Sequence, residues 1–554
     1  MTRAIVSSPA HRRLVVAGPG TGKSTTFQLA FREVGGSGLA LTFISSLARV
    51  LGADLPSTVH VDTFHGFCYW RFKSAGNPDR LYGPLLEIVS DDLSRIRDKR
   101  IGRRAVEWAF HDMDDRDLLI RDAISRSVDY AAVSHPGVVH RMVEAFRLDP
   151  GLIPSFPLVV IDEVQDFTQL EIELLNLLAT KSRVLVAGDD DQSLYGFRHA
   201  SPAHLHTMWT HPDFATFTLA YCSRCTEVIV AAVSDVVRAA RPRGLLANRI
   251  DKRYECYLPK KAEDSERFPA LIHSRLPRQT EANEIGRYIV SEIARIPERD
   301  IAESRHEGYP TALVVGPDPF LEYATDAVRS AYPQTVVTRR DDDPFRIDPL
   351  DGYRFLAAEH DSKLGWRILL YCFFKLEAQE RLDEALRTGG DIVSTMPQGF
   401  RAENEPFVEA IRQLMSGLGL ADAQARALEK RLGMTIDEIK QRLLLKGAAA
   451  ATDAGTNPEV LSAATDDKPS ITCATLLGAK GLSGGHVFVA GCVDGFLPRR
   501  ADSIQNEEVC QFLVALSRTR KECHLISVDS FLGRRWRASS FLTWIQQPLD
   551  LRTP

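Results

Sequence analysis

Short apolar runs separated by helical stretches are the dominant pattern of the chain. The runs are Leu14 to Val16, LALTF (39–43), LVVID (158–162), VLVAGD (184–189), TALVVG (311–316) and HVFVAG (486–491). Apolar runs without alternation are typical of strands buried on both faces. Strands that alternate with helices predict an α/β fold class with parallel sheets covered by helices.

Two long segments depart from this pattern. Residues 71–150 and 371–446 are charged and amphipathic, and both have few strand signals, so we predict two mainly helical insertions. In the second, Thr435 and Glu438 have the spacing of a capping box ahead of a helix. The small polar stretch at 447–469 predicts an exposed connection, and PKKAEDSER (259–267) is a weaker candidate of the same type.

Length and composition narrow the class of protein. A chain of 554 residues is too long for one hydrophobic core, so several domains are expected. The hydrophobic fraction is 44%, and no apolar stretch reaches the ~18 residues of a membrane span. The N-terminus has no long apolar segment typical of a secretory signal. We therefore expect a cytoplasmic protein without a membrane partner. Its nine scattered cysteines do not indicate a disulfide framework.

Charge gives no general argument for nucleic-acid binding. The formal net charge is -5 and the pI is near 6.3, whereas a nucleic-acid-binding domain is usually basic. Any such binding must come from local grooves. The best local candidate is RIRDKRIGRR (95–104), and a solvated helix face explains that run equally well.

The segment AGPGTGKS (17–24) lies between a predicted strand and a predicted helix at 23–33, the context that a phosphate-binding P-loop requires. Its backbone N–H groups would surround phosphates, Lys23 would reach the β and γ oxygens, and the Ser24 hydroxyl would bind Mg²⁺. We predict ATP and Mg²⁺ as ligands. The predicted nucleotide-binding residues are Ala17, Gly18, Pro19, Gly20, Thr21, Gly22, Lys23, Ser24 and Thr25.

The segment LVVIDEVQD (158–166) supplies two adjacent carboxylates after an apolar strand. Asp162 can hold the Mg²⁺ shell, and Glu163 can take a proton from an attacking water. An ordinary strand end is the alternative. The P-loop earlier in the chain makes the catalytic interpretation the stronger one.

The segment VAGDDDQSLYGFRHA (186–200), together with DEVQD, resembles the UvrD, Rep and PcrA group of superfamily 1 DNA helicases. Other segments follow that family's order: LALTFISSLA (39–48), VDTFHGF (61–67), LAYCSRCTEVI (219–229), TLLGAKGLSGGHVFVAG (475–491), EEVCQFLVALSRTRK (507–521) and RRWRASSFLTWI (534–545). The resemblance covers about 17–545, weakly over 71–150 and 250–455.

This resemblance implies two tandem RecA-like P-loop domains. We expect the first domain, 1A, at 1–70 and 151–215, with a helical insertion, 1B, at 71–150. The second domain, 2A, is expected at 216–370 and 456–554, with a reduced helical insertion, 2B, at 371–455.

The resemblance also assigns site residues. Arg224 and Arg518 would reach the γ-phosphate from the second domain, since the planar guanidinium suits phosphate oxygens. Gln192 would couple the γ-phosphate to DNA. Aromatic stacking and backbone contacts suit a protein that moves on any base sequence. The implied DNA-binding residues are Phe43, Thr63, His65, Tyr195, Phe197 and Arg198, for which core packing is the alternative.

The function implied is an ATP-dependent translocase or helicase on single-stranded or partly duplex DNA, moving 3′ to 5′. The alternative is a nucleotide- or DNA-sensing regulatory subunit that activates a partner nuclease, as in bacterial antiviral systems such as Gabija. A P-loop kinase is disfavoured, because GDDDQSLYGFR (188–198) would then have no role.

The chain departs from the family pattern at several positions. Ser223 replaces the tyrosine that stacks on the base, and no glutamine precedes Gln28 to read adenine, so we expect relaxed base preference. Tyr221 is close enough to substitute. Leu477 and Ser483 replace a histidine and a glutamate, which predicts weaker coupling of hydrolysis to DNA. The short 2B segment leaves less surface to engage duplex ahead of the fork, which favours translocation over strand separation.

Cys222 and Cys225 form a CxxC pair around Arg224. A structural zinc site needs about four ligands, and no second pair is present to complete one. A redox pair usually opens a helix in a thioredoxin-like unit, which the sequence does not indicate. We therefore interpret the pair as incidental thiols around an arginine that contacts phosphate.

Overall fold

The computed structural model describes residues 1–43, 45–113, 118–196, 199–277, 283–338, 346–451 and 468–552. Two large sheets lie at the centre, and helices cover them. Every strand pairing within these two sheets is parallel. The predicted α/β fold class is confirmed, and each of the six apolar runs contains a strand.

The first sheet has six strands. In spatial order they are Val59–Thr63, Gly38–Thr42, Val159–Ile161, Val184–Gly188, Arg12–Ala17 and Phe214–Leu219. In the strand Arg12–Ala17, successive residues pack in the cores on opposite faces of the sheet. Leu14 and Val16 pack on one face, and Val15 and Ala17 pack on the other. Burial on both faces explains why this strand is apolar throughout rather than alternating.

Helices and short turns surround this sheet. The α-helices are Thr2–Val6, Lys23–Glu33, Ser45–Asp54, Phe64–Ser74, Gln169–Leu178 and Ala203–Thr210, and the 3-10 turns are Pro150–Leu152, Val164–Asp166 and Asp190–Gln192.

The second sheet has seven strands. In spatial order they are Val336–Thr338, Ile471–Thr475, Ala312–Gly316, Gly484–Ala490, Thr519–Val528, Leu271–Leu276 and Leu549–Arg552. Its helices and 3-10 turns are Glu227–Ala240, Arg241–Arg243, Leu258–Arg267, Glu284–Ile293, Glu298–His306, Asp318–Ala331, Asn506–Ser517 and Ser540–Trp544. Three small two-stranded sheets pair Tyr221–Cys222 with Glu255–Cys256, Arg80–Leu81 with Ala132–Val133, and Ser530–Phe531 with Arg534–Arg535.

The two helical regions form one body rather than two. One apolar core contains buried residues from 82–132 and from 350–443. Within this body, Arg367 is fully buried and donates from Nε to Asp92 at 2.8 Å. The helices of this body are Leu85–Arg97, Arg103–Asp112, Leu118–Asp129, Pro349–Ala358, Lys363–Cys372, Leu376–Thr388, Ile392–Thr395, Gln398–Met415, Asp422–Leu432 and Ile436–Ala451. The helix His135–Leu148, expected within the first insertion, instead packs against Phe64–Ser74 and Gln169–Leu178 beside the first sheet.

The structure differs from several boundaries expected from sequence. The strand Phe214–Leu219 pairs with the first sheet and crosses the expected boundary at 215/216. Helical packing of the second insertion begins at Pro349–Ala358, before residue 371, because this helix packs against Gln398–Met415.

The prediction of a connection at 259–267 is wrong, since Leu258–Arg267 is a helix. Pro259 lies in its first turn, where proline is tolerated, and buried Lys261 pairs with Asp264 at 2.8 Å. Of the connection predicted at 447–469, residues up to Ala451 are helical, and 452–467 lie outside the described residues.

All nine cysteines are free thiols. Over the described residues, no helix combines the length and the apolar character needed to cross a bilayer.

Candidate functional site

The glycine-rich segment joins a strand of the first sheet to a helix. The strand Arg12–Ala17 leads into a turn in which Gly20 and Gly22 have φ angles of 70° and 95°, and the helix follows directly. Glycine suits both positions because other residues rarely adopt positive φ. The Thr21 hydroxyl donates to the Gly18 carbonyl at 2.7 Å and closes the loop. The predicted nucleotide-binding residues thus form one strand, loop and helix, whose N-terminus suits an anion.

Two carboxylates follow the strand Val159–Ile161 at the carboxyl edge of the same sheet. Glu163 is buried, and its Oε1 lies 3.6 Å from Nζ of Lys23. Gln165 donates from Nε2 to the other oxygen of Glu163 at 2.5 Å. Burial and the adjacent Glu163 raise the pKa of Asp162 to about 7. Burial would also raise the pKa of Glu163, but nearby lysine ammonium groups outweigh it and lower that pKa to about 2.

Ser24 and Asp162 are the residues predicted to hold Mg²⁺. Both are partly accessible, and they offer a hydroxyl and a carboxylate, which are oxygen ligands of the kind that Mg²⁺ prefers. After burial, the main cause of the raised pKa of Asp162 is the negative charge of the adjacent Glu163. A divalent cation would compensate it, so the donor set and the local charge both fit Mg²⁺.

Arg518 comes directly after the helix Asn506–Ser517 and reaches the loops of the first sheet. Its guanidinium is buried and donates from Nη2 to Oε1 of Gln192 at 2.6 Å. Two backbone carbonyls, of Val514 and Leu482, accept from its Nε and Nη1 at 3.1 and 3.2 Å. These bonds fix the planar group at the boundary between the two sheets.

Arg224 is held against the P-loop by its own loop. The N–H of Ser223 donates to the Gly20 carbonyl at 2.9 Å. A Cβ on Gly20 would lie 2.4 Å from Cβ of Arg224, so the two loops are in direct contact. Burial and repulsion from Arg224 lower the pKa of Arg518 to about 10. Two guanidinium groups that repel each other beside a P-loop provide a positive field suited to phosphate.

Lys480 is a further residue of the cleft that the sequence analysis did not single out. It is buried, its Nζ donates to the Gln192 carbonyl at 2.9 Å and lies 3.6 Å from Oε2 of Glu163, and it also pairs with Asp166. Burial would lower its pKa, but Asp166 and Glu163 raise it above the ordinary value. An ammonium from the second half of the chain therefore joins two turns of the first half, Val164–Asp166 with its preceding Glu163, and Asp190–Gln192. Its signal in the sequence is one charge among small and apolar residues in TLLGAKGLSGG (475–485).

The CxxC pair lies beneath the P-loop. Cys222 and Cys225 are buried, and the N–H of Cys225 donates to Sγ of Cys222 at 3.4 Å. The hydroxyl of Tyr254 lies 3.3 Å from the same sulfur and donates to the Pro19 carbonyl at 3.0 Å. Among the described residues, neither cysteine belongs to a group of three ligands close enough for a metal ion. The thiols pack against the loop, and Tyr254 is a contact that the sequence analysis missed.

Aromatic side chains near this loop bear on base recognition. Ser223 lies against the P-loop, and its hydroxyl is 3.3 Å from the Gly20 carbonyl. Tyr221 is 56% exposed, and its ring centre lies 6.2 Å from that of Tyr257, which is 43% exposed. These two rings form an accessible aromatic surface, and Tyr221 directly precedes Cys222, whose sulfur lies against Gly20 of the P-loop.

The residues predicted to bind DNA lie on the first half of the chain. Phe43 and Tyr195 are buried and their rings meet edge to face at 5.0 Å. Thr63 caps the helix Phe64–Ser74, and its hydroxyl accepts from the Gly66 N–H at 3.0 Å. The ring of His65 lies 5.3 Å from that of His135. Residues 197 and 198, the predicted Phe197 and Arg198, lie outside the described residues.

Among the described residues, three of the six basic residues in the segment 95–104 form ion pairs. Arg95 pairs with Asp91 and Asp383, both at 2.8 Å. In the same segment, Arg97 pairs with Asp122 at 2.5 Å and Arg103 with Glu107 at 2.7 Å. These contacts favour a structural role for the three arginines over contact with DNA.

Comparison with known proteins agrees with the motifs in this cleft. The family model of the UvrD/REP helicase N-terminal domain matches residues 137–212, which contain both carboxylates and Gln192. The chain is related to the UvrD/PcrA-like superfamily 1 helicases. The resemblance predicted from sequence is thus confirmed.

Individual relatives of this UvrD/PcrA-like chain are distant. It is 23% identical to DNA helicase II of Haemophilus influenzae over 289 residues, 42% of this chain and 39% of the relative. It is 24% identical to the ATP-dependent DNA helicase PcrA of Staphylococcus aureus over 284 residues, again 42% and 39%. It is 24% identical to the helicase YjcD of Bacillus subtilis over 436 residues, which are 72% of this chain and 56% of the relative. The chain spans less than two thirds of the length of these relatives.

Proposed function

We propose that the protein is an ATP-driven motor that moves 3′ to 5′ on single-stranded DNA. The observation that carries the proposal is the meeting of two halves of the chain around one P-loop. Arg518 bonds to Gln192, and the loop of Arg224 lies on Gly20. Such a cleft binds a nucleoside triphosphate with one half and stabilises the developing γ-phosphate charge with the other.

In this mechanism each side chain has a separate task. Lys23 and the N–H groups of the loop hold the phosphates, and Ser24 and Asp162 would hold Mg²⁺, which would supply positive charge to the phosphates. Glu163, kept ionised by nearby lysines, orients the attacking water and accepts its proton. Arg224 and Arg518 donate to the γ-phosphate oxygens as negative charge develops on those oxygens.

Coupling to DNA would run through the contacts that cross the cleft. Lys480 bonds to the Gln192 carbonyl, and its ammonium lies 5.5 Å from the ring centre of Tyr195. Tyr195 in turn packs on Phe43. Loss of the γ-phosphate would loosen the arginine contacts, open the cleft and free these two rings to exchange their mutual contact for bases. Alternate closing and opening then moves the strand.

Steady-state ATP hydrolysis with and without single-stranded DNA tests the proposal, with Lys23→Ala as the control. Hydrolysis that DNA stimulates and that the variant lacks supports a motor. Hydrolysis that is indifferent to DNA would count against one. Absence of hydrolysis by the unaltered protein, with and without DNA, would overturn the proposed activity.

A second candidate is a nucleotide- or DNA-sensing regulatory subunit that activates a partner nuclease and unwinds little by itself. The core shared between 82–132 and 350–443 favours it, because the two insertions cannot turn independently to engage duplex. Co-purification from the native host separates the candidates. A bound nuclease whose cutting depends on nucleotide or DNA binding by this chain supports the second, and duplex unwinding by the isolated chain supports the first.

A further inference from the structure

Residues 249–254, which we call the strap, reach from the second half of the chain onto loops of the first sheet. Arg249 donates from Nε and Nη2 to the two oxygens of Asp191 at 2.6 and 2.9 Å. At the other end of the strap, the Tyr254 hydroxyl donates to the carbonyl of Pro19 in the P-loop. The strap therefore contacts both the phosphate loop and the loop that carries Gln192.

Lys252, in the middle of the strap, is the most enclosed of its charges. Its side chain is 2% exposed, and Nζ lies 2.9 Å from Asp189, 2.5 Å from Asp190 and 2.8 Å from Asp191. Oxygens of the three carboxylates lie within 4.8 Å of one another, a spacing that would suit a metal ion. The ammonium of Lys252 occupies the space between them, so an internal cation takes the place of a metal.

Asp189 connects this cluster to the catalytic groups. Its Oδ2 accepts from Nε2 of Gln192 at 2.5 Å, and that glutamine in turn accepts from Arg518. The backbone N–H of Asp189 donates to Oε1 of Gln165, whose Nε2 donates to Glu163. Asp189 thus positions Gln192, which accepts the hydrogen bond from Arg518. Through Gln165 it also positions the catalytic Glu163.

Asp190 is a matched neighbour without these connections. Its carboxylate is closer to Nζ of Lys252 than that of Asp189, at 2.5 Å against 2.9 Å, and its other oxygen accepts the N–H of Ile250 at 2.6 Å. Its side chain bonds only within the strap among the contacts resolved in the described residues. Removing the contact of Lys252 with Asp190 alone therefore tests the effect of losing an ion pair without losing the positioning contacts of Asp189.

We propose that Lys252 is a positioning residue for nucleotide hydrolysis, holding Asp189 and through it Gln192 and Glu163 in the arrangement that hydrolysis needs. The proposal rests on the proposed ATPase function. Without the ammonium, three carboxylates in a buried space repel one another, and Asp189 moves together with the groups bonded to it. Because the strap belongs to the second half of the chain, opening of the cleft would withdraw the lysine and disable hydrolysis between cycles.

Kinetics of Lys252→Met and Asp190→Asn test this directly. Lys252→Met should lower kcat about 100-fold, the effect of a displacement near 1 Å, while KM for ATP changes less than about threefold. Asp190→Asn removes an equally buried ion pair and should leave kcat within about twofold of the unaltered protein. Thermal melting of each variant reports whether it is folded.

If Lys252→Met does not fold, the double variant Lys252→Met with Asp190→Asn is measured in its place, because it has less negative charge in the cluster. Its kcat should still lie about tenfold or more below that of the unaltered protein, because Asp189 and Asp191 still face each other without the ammonium. Restored kcat in the double variant, or an equal loss of kcat in Asp190→Asn, would mean that ion pairing in general is responsible and would overturn the proposal. Unchanged kcat in Lys252→Met would do the same, whereas an inactive unaltered protein would overturn the ATPase function instead.

Discussion

The shared core of the two insertions predicts that they fold and unfold together, and Asp92→Ala tests this most sharply. Asp92 is fully buried and accepts from Arg367 at 2.8 Å, from Tyr130 at 2.5 Å and from Arg126 at 3.1 Å. Arg367 lies on the other insertion, is also fully buried, and would lose its ion pair with Asp92 while keeping the one with the partly exposed Asp91.

The size of the effect follows from these contacts. Removing one partner of a buried ion pair costs about 3 to 5 kcal/mol, because the remaining charge stays buried. For a cooperative body of roughly 150 to 250 residues, each 1 kcal/mol lowers the melting temperature by about 2 to 4 °C. Asp92→Ala should therefore lower the midpoint of the helical body by roughly 6 to 20 °C.

Calorimetry, with limited proteolysis as a second probe, measures this effect. Cleavage should begin in both insertions at the same temperature, since each buries the other's apolar surface. Asp122→Ala is the matched control, because its ion pair with Arg97 is partly exposed on both sides and is worth at most about 1 kcal/mol. A melting temperature of Asp92→Ala equal to that of the control, or cleavage of one insertion well before the other, would refute a common core.

Three further results are expected. Arg518→Ala should lower kcat about 1,000-fold or more with nucleotide still bound, whereas Arg520→Ala, on the next strand, should have little effect; equal losses would contradict the assigned role. Hydrolysis rates for ATP, GTP and CTP should be comparable, and a strict ATP requirement would contradict relaxed base preference. Burial lowers the pKa of His486, but Asp300 and Glu522 outweigh it and raise that pKa. His486 should therefore stabilise the fold below about pH 6.5 and lose this contribution as pH rises through the folded-state pKa, and the difference in denaturation midpoint between the unaltered protein and His486→Gln should shrink accordingly.

Features that depend on local sequence could be predicted well. The run from Leu14 to Val16 is apolar at every position because both faces of the strand are buried, and Gly20 and Gly22 in the loop after it have positive φ. The adjacent carboxylates follow a strand for the same local reason. Such signals are contained within a few neighbouring residues, so the sequence alone is sufficient to recognise them.

Features that depend on distant contacts could not be predicted. The strap is a short polar segment whose partners, Asp189 to Asp191, lie far earlier in the chain, so nothing local marks Lys252 as buried. The helix Leu258–Arg267 is polar enough to be taken for a connection, and Lys261 is buried because it donates to the Arg520 carbonyl of a distant strand. The common core of the insertions also depends on a pairing that no sequence pattern specifies.

Translocation itself is the central claim, and displacement of streptavidin from biotinylated single-stranded DNA measures it most directly. With ATP and Mg²⁺, the protein should displace streptavidin from the 5′ end much faster than from the 3′ end, as expected for 3′ to 5′ movement. Lys23→Ala should leave both rates at the spontaneous level. Displacement that does not require ATP hydrolysis, or no displacement from either end by a protein that hydrolyses ATP, would contradict a DNA motor.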